Sequence, residues 1–216
     1  MASEPTASQV PTPAGPARIH WHRAASARTL LALGHGAGGG VEARDLRALA
    51  ESLPARGVTV ALVEQPWRVA GRKVAPAPKT LDSCWRALWP ALEREQLPIT
   101  AGGRSAGARV ACRTAGELGA RAVLALSFPL HPPGRPEKSR IEELTAARKA
   151  VGEVLVVQGA RDPFGRPEEF PARERPVAVP FADHGFAVPK KADLSEDDAM
   201  AVITEAVAGW LERQRA

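Results

Sequence analysis

The residues best suited to covalent chemistry lie in Gly103-Arg104-Ser105-Ala106-Gly107. A serine with glycines two places before and two after fits a sharp strand-to-helix turn. Strand and helix nearly touch there, so side-chain bulk is excluded. Such a turn holds the serine in a strained conformation, and the helix start behind it offers unpaired N–H groups to a developing oxyanion. The chemistry expected of Ser105 is attack on a carbonyl carbon. The apolar run before it and the Ala/Val/Cys helical pattern after it supply the strand and the helix.

A hydroxyl attacks only when a base takes its proton and a third group orients that base. His184 is expected as the base and later as the acid toward the leaving group. Asp162 is expected to fix the imidazole tautomer. Asp183 competes as the acid, but adjacent residues rarely turn their side chains toward each other across a loop. His35 and His131 compete as the base, although both precede Asp162 in the chain. His35 also lies in the Gly34-His35-Gly36-Ala37-Gly38-Gly39 loop. That loop is expected to supply the Ala37 N–H to an oxyanion hole shared with the N–H of Ala106. The same glycines fit the G-x-G-x-x-G of a dinucleotide site, with Glu64 placed to hold a ribose. A nicotinamide-dependent oxidoreductase therefore stays open as an alternative. No Lys-Ser/Thr follows, so the loop is not a Walker A motif.

These residues need elements to hold them. Apolar runs predict strands at Thr29–Leu33, Val58–Val63, the stretch before Ser105, Ala122–Ser127, Val154–Gln158 and Val177–Phe181. Ala17–Arg23 reads as an edge strand, with His20 and His22 on its outer face. Helical patterns fall between the strands, and Ser195 caps a last helix reaching about Arg213. Strands apolar on both faces, alternating with helices, predict an α/β fold: a mostly parallel sheet with helices on both sides. Ligands of such sheets bind at the carboxyl ends of the strands. The Gly/His, Ser, Asp and His loops all lie there.

The chain has 216 residues, with 44% hydrophobic and 25% charged. It is expected to form one domain over residues 17–216, after a disordered Pro-rich tail over residues 1–16. The formal net charge is +5. The basic residues are scattered rather than clustered with aromatics, which argues against nucleic-acid binding. No apolar run reaches membrane-span length, and no signal-peptide pattern opens the chain, so a cytoplasmic location is expected. Cys84 and Cys112 are too few for a disulfide framework or a zinc site, and neither a metal nor another cofactor is expected.

Ser…Asp…His is the chain order of α/β-hydrolases. The five motifs Leu33–Gly39, Gly102–Gly107, Ser127–Gly134, Gln158–Gly165 and Asp183–Phe186 resemble the small dienelactone-hydrolase-related α/β-hydrolases. These are grouped with testis-expressed protein 30 and chromatin NSL complex subunit 3. The resemblance spans roughly residues 27–213. It implies a minimal α/β-hydrolase fold with Ser105, Asp162 and His184 as the triad. Some members look like interaction subunits, so a binding module without catalysis is the second function class. No insertion is long enough for a cap domain. The open site is expected to take a small ester or lactone, with His35, Trp67, Arg104, Phe128, Leu130, His131 and Phe186 around it. Arg104 would favour an anionic substrate.

Overall fold

The computed structural model describes residues 5–214. Its centre is the run of apolar segments β3 (Thr29–Gly34), β4 (Val58–Glu64), β5 (Ile99–Arg104), β6 (Ala122–Leu126) and β7 (Val154–Gly159). These strands are almost wholly buried and lie parallel. β8 (Val177–Val179) continues them at one edge. At the other edge β2 (Ala17–His22) runs antiparallel to β4, and β1 (Thr6–Val10) runs antiparallel to β2. The eight-stranded order is β1-β2-β4-β3-β5-β6-β7-β8.

The two faces follow from the alternation of side chains along each strand. On one face β3 and β5 pack Leu30 and Ala101 against α3 (Pro78–Glu93), α4 (Ala106–Thr114) and α5 (Ile141–Val151). On the other, Leu31, Leu33 and Leu124 pack against α1 (Arg44–Ser52) and α6 (Glu196–Arg213). Ser195 caps α6, accepting from the Asp198 N–H at 3.0 Å. A short α2 (Pro66–Val69) follows β4.

The disordered tail expected over residues 1–16 is corrected by β1. Met1–Glu4 lie outside the described residues, but Thr6–Val10 form a five-residue ladder with Val10 opposite Ala17 and Thr6 opposite Trp21. Composition misses this strand because its side chains are exposed and it buries almost nothing apolar. Backbone bonds hold it instead, with a turn in which Thr12 and Gly15 exchange N–H···O bonds of 3.2 Å. The Trp21 Nε1–H also donates to Ser8 Oγ at 2.9 Å.

Candidate active site

Ser105 ends β5 and begins α4 with φ 53° and ψ −109°, a conformation that costs an L-residue about 1–3 kcal/mol. The packing around it explains why the flanking residues are glycines. A Cβ on Gly103 would stand 2.5 Å from the Gly34 carbonyl oxygen and 2.7 Å from the Gly107 carbonyl carbon. Strands β3 and β5 and helix α4 therefore meet backbone to backbone. Ser127, at the end of β6, and Phe186, after β8, also have positive φ. Backbone strain thus recurs along the carboxyl edge of the sheet.

The loops after β5, β7 and β8 bring three side chains into one hydrogen-bonded line. His184 Nε2 lies 3.0 Å from Ser105 Oγ, and His184 Nδ1 lies 2.7 Å from Asp162 Oδ2. A carboxylate only accepts, so Nδ1 carries the hydrogen and Nε2 is free to accept from the serine. Asp162 has no exposed side-chain surface. Its charge is met by His184 and by Gln158 Nε2 at 2.8 Å on Oδ2, and by the Phe164 N–H at 2.8 Å on Oδ1. Burial of a carboxylate is tolerated when donors saturate it in this way. The Phe164 ring covers the imidazole, with centroids 4.3 Å apart. Asp183, the rival acid, accepts from the Gly185 and Ala187 N–H groups and shapes the loop that carries His184.

On the opposite side of Ser105, Gly36 lies against its Cβ. Among the described residues neither the Ala37 nor the Ala106 N–H is used by a backbone carbonyl. His35 is buried rather than facing Ser105. Its Nδ1 lies 2.9 Å from the Gly36 carbonyl oxygen, and its Nε2 lies 3.1 Å from the Gln65 backbone N–H. The Gln65 N–H can only donate, so Nε2 accepts and Nδ1–H donates to Gly36. Burial pushes the imidazole below its ordinary pKa, against the opposing pull of the Gly36 carbonyl, in keeping with that neutral form. The ring also meets Trp67 edge-on at 5.5 Å. His35 is therefore a brace between the glycine loop and the end of β4.

Arg104 departs from the expected substrate contact. Its guanidinium donates to the His184 carbonyl oxygen at 2.9 Å, and its Nε lies 3.5 Å from Asp45 Oδ2 on α1. Asp45 is buried, with Arg104 and the Asp45 and Leu46 backbone N–H groups about its carboxylate. Burial pushes its carboxyl up, and Arg104 pulls it back toward ionisation. Four other expected substrate contacts are also corrected. Phe128 and Phe186 are fully buried on opposite faces of the sheet, and as core residues they offer no exposed wall. His131 bonds Glu169 Oε2 and the Pro132 carbonyl oxygen, both at 2.9 Å, which commits both ring nitrogens. Leu130 is buried against Gly165, behind the Asp162 turn. Trp67 remains beside the glycine loop. Glu64, the ribose acid of the dinucleotide alternative, is held by Arg18 at 3.2 Å and by His20 at 3.3 Å.

Sequence reasoning passed over Gln158, Phe164 and Asp45. Gln158 and Phe164 carry a usable signal, since a buried strand-end glutamine and an aromatic two places after an acid both flank the Asp162 turn. Asp45 carries none, because it resembles any first-turn acid of an amphipathic helix.

A strained serine at the carboxyl edge of a mostly parallel, helix-covered sheet is the architecture of an α/β hydrolase. Residues 27–212 match the family model described as alpha/beta hydrolase domain, and the chain belongs to that family. No curated protein sequence matches the chain. Among solved structures, the fold is similar to XC6422 from Xanthomonas campestris, described as an α/β serine hydrolase without a lid. That match has a TM-score of 0.71 and 18% identity, over 97% of this chain and 96% of that one. It is also similar to a dienelactone hydrolase from Anabaena variabilis, with a TM-score of 0.73 and 18% identity over 97% of both chains. A third, Est1E from Butyrivibrio proteoclasticus, has a TM-score of 0.70 and 16% identity, over 96% of this chain and 98% of that one. No helix among the described residues is long and apolar enough to cross a membrane.

Proposed function

We propose that this protein is a serine hydrolase of small esters or lactones. Ser105 is the nucleophile, His184 the base and acid, Asp162 the orienting carboxylate, and the Ala37 and Ala106 N–H groups the oxyanion hole. Ser105 Oγ adds to the carbonyl carbon as its proton passes to His184 Nε2. The carbonyl electron pair moves onto the oxygen facing the two N–H groups. Collapse of this adduct breaks the bond to the alcohol oxygen, which takes the proton from His184 and leaves an acyl-serine. Water, giving a proton to His184, then adds to the acyl carbon, and the proton returns to Ser105 as the acid departs. The steps balance without a cofactor.

The observation that carries this reading is the line from Ser105 Oγ through His184 to a fully buried, donor-saturated Asp162. A purely structural turn at Ser105 gives no reason to hold an imidazole 3.0 Å from a strained hydroxyl. Related folds bear the printed names dienelactone hydrolase and Est1E, the latter also solved with ferulic acid, in keeping with small acyl substrates. Within the family we place the chain with the dienelactone-hydrolase-related group containing testis-expressed protein 30 and NSL subunit 3, on its five motifs.

The test is active-site labelling. A fluorophosphonate is expected to label Ser105 stoichiometrically, because His184 Nε2 stands 3.0 Å from Ser105 Oγ to take its proton. Ser105→Ala removes the label, and His184→Ala nearly does so. Both lose hydrolysis of p-nitrophenyl acetate. A folded protein that neither labels nor turns over the ester would instead be a binding module built on this fold.

A further inference from the structure

A cavity of about 310 Å³ opens beside the glycine loop, between the Gln65–Pro76 segment, the start of α3 and the β1–β2 turn. Its walls are mostly apolar, with Trp67, Ala75 and Leu81 toward the site and Ala14 on the far side. Val74 on its wall is 81% exposed, the most exposed large apolar side chain among the described residues. A narrow cleft of about 10 Å³ lies between this cavity and the oxyanion side of Ser105. Gly36, Ala37 and Ala106 line the cleft, and Gln65, Trp67, Ala75 and Leu81 line both spaces.

The position of the cavity decides which half of an ester it would take. The leaving alcohol must receive its proton from His184, so it departs on the side of the Asp162 and His184 loops. No residue of either loop lines the cavity or the cleft. The cleft is lined by the oxyanion residues Ala37 and Ala106 and shares four walls with the cavity, so both stand on the side open to the acyl portion. The dimensions limit the shape. The cleft has about the volume of one water-sized probe, so a chain seated in it is at most one methylene wide, with no room for a branched carbon or a ring. The cavity sits at the lower end of ligand-pocket volumes, about 300–1,000 Å³.

We infer that this cavity is the acyl-chain site of the proposed hydrolase and that the protein prefers unbranched medium-chain acyl esters to acetyl esters. The inference rests on the serine-hydrolase reading and adds a substrate class to it. Each methylene moved from water to apolar surroundings is worth roughly fourfold in kcat/KM. The first carbons occupy the cleft, and later ones gain the full effect.

The test is a series of p-nitrophenyl esters from acetate to octanoate, with benzoate and pivalate as the ring and the branched control. Expected is a rise in kcat/KM of at least tenfold from acetate to octanoate, with both controls below butyrate. Ala75→Trp, which fills the cavity near the cleft, should lower the octanoate-to-acetate ratio at least tenfold. Thr80→Phe fills it from the helix side and gives the same reading should Ala75→Trp fail to fold. A flat chain-length profile with Ser105 still labelled overturns the acyl-site inference and leaves the hydrolase reading intact. Absence of labelling on Ser105 overturns both.

Discussion

The two sides of Ser105 are built to different standards. On the His184 side the groups that touch Asp162 and His184 are committed, although Gln158 Oε1 and Arg104 Nε beside them are buried without a hydrogen bond. Asp162 accepts three hydrogen bonds, Gln158 Nε2 lies within reach of two backbone carbonyls besides Asp162, Phe164 covers the imidazole and Arg104 holds the His184 backbone. On the oxyanion side the glycine loop is exposed at Ala37 and Gly38. Gln65 Oε1 and Trp67 Nε1 are buried with no partner, and a cavity lies beyond them. A proton moves well only along fixed, short hydrogen bonds, so that side tolerates no slack. The side that receives a substrate's carbon chain gains from loosely committed neighbours, because shape is read there by contact rather than by angle.

Damage on the tight side is therefore expected to cost turnover, and damage on the loose side to cost selectivity. The largest effect belongs to Asp162→Asn, expected to lower ester kcat by on the order of 10⁴ while the protein stays folded, through the wrong His184 tautomer. Asp183→Asn is the control. Its carboxylate only shapes a turn, so its loss should be far smaller, and the reverse ranking would reassign the acid. Arg104→Met comes next. It frees the His184 carbonyl and leaves Asp45 buried without its cation. A misplacement of the base by about 1 Å is worth up to roughly 10² in kcat. Circular dichroism and an unchanged labelling stoichiometry would separate displacement of the base from unfolding.

His35 gives a pH signature on the loose side. Its pKa in the fold lies below that of the unfolded chain. As pH falls through the ordinary imidazole range, the unfolded chain therefore binds a proton that the folded one refuses, and stability drops. Melting temperature should fall more steeply between about pH 7 and 5 in the wild type than in His35→Gln. Equal slopes would remove His35 as the titrating brace. The smallest effect is expected from deleting residues 1–16. Loss of the β1 ladder and of the Ser8–Trp21 bond should lower Tm by on the order of 4 °C. No change would mean that β1 contributes nothing to stability.

How much of this was legible in the sequence depends on how local the signal is. Ser105, Asp162 and His184 stand after apolar runs and among glycines or prolines, so their neighbours announce a strand end and the topology of a parallel sheet gathers them. The central strands were equally plain, because burial on both faces leaves uninterrupted apolar letters. Strand β1 was hidden because an edge strand is held by backbone groups that every residue has. The Arg104–Asp45 contact was hidden because it joins α1 to the end of β5 across 59 positions, with no local pattern at either end. Phe128 and Phe186 misled because a strand-end aromatic can turn into the core or toward the crevice, and only packing decides between them.

The φ of 53° at Ser105 has a further consequence, for how this protein would respond to selection for robustness. A residue without a Cβ adopts that conformation at little cost, so Ser105→Gly should raise the stability of the domain by about 1 kcal/mol or more while ending its chemistry. The most stabilising single change near the site would then be the one that inactivates it. A thermostability screen run without an activity readout would enrich dead variants at position 105. Persistence of serine at that position in a population of this chain would be a direct record of selection on turnover rather than on folding.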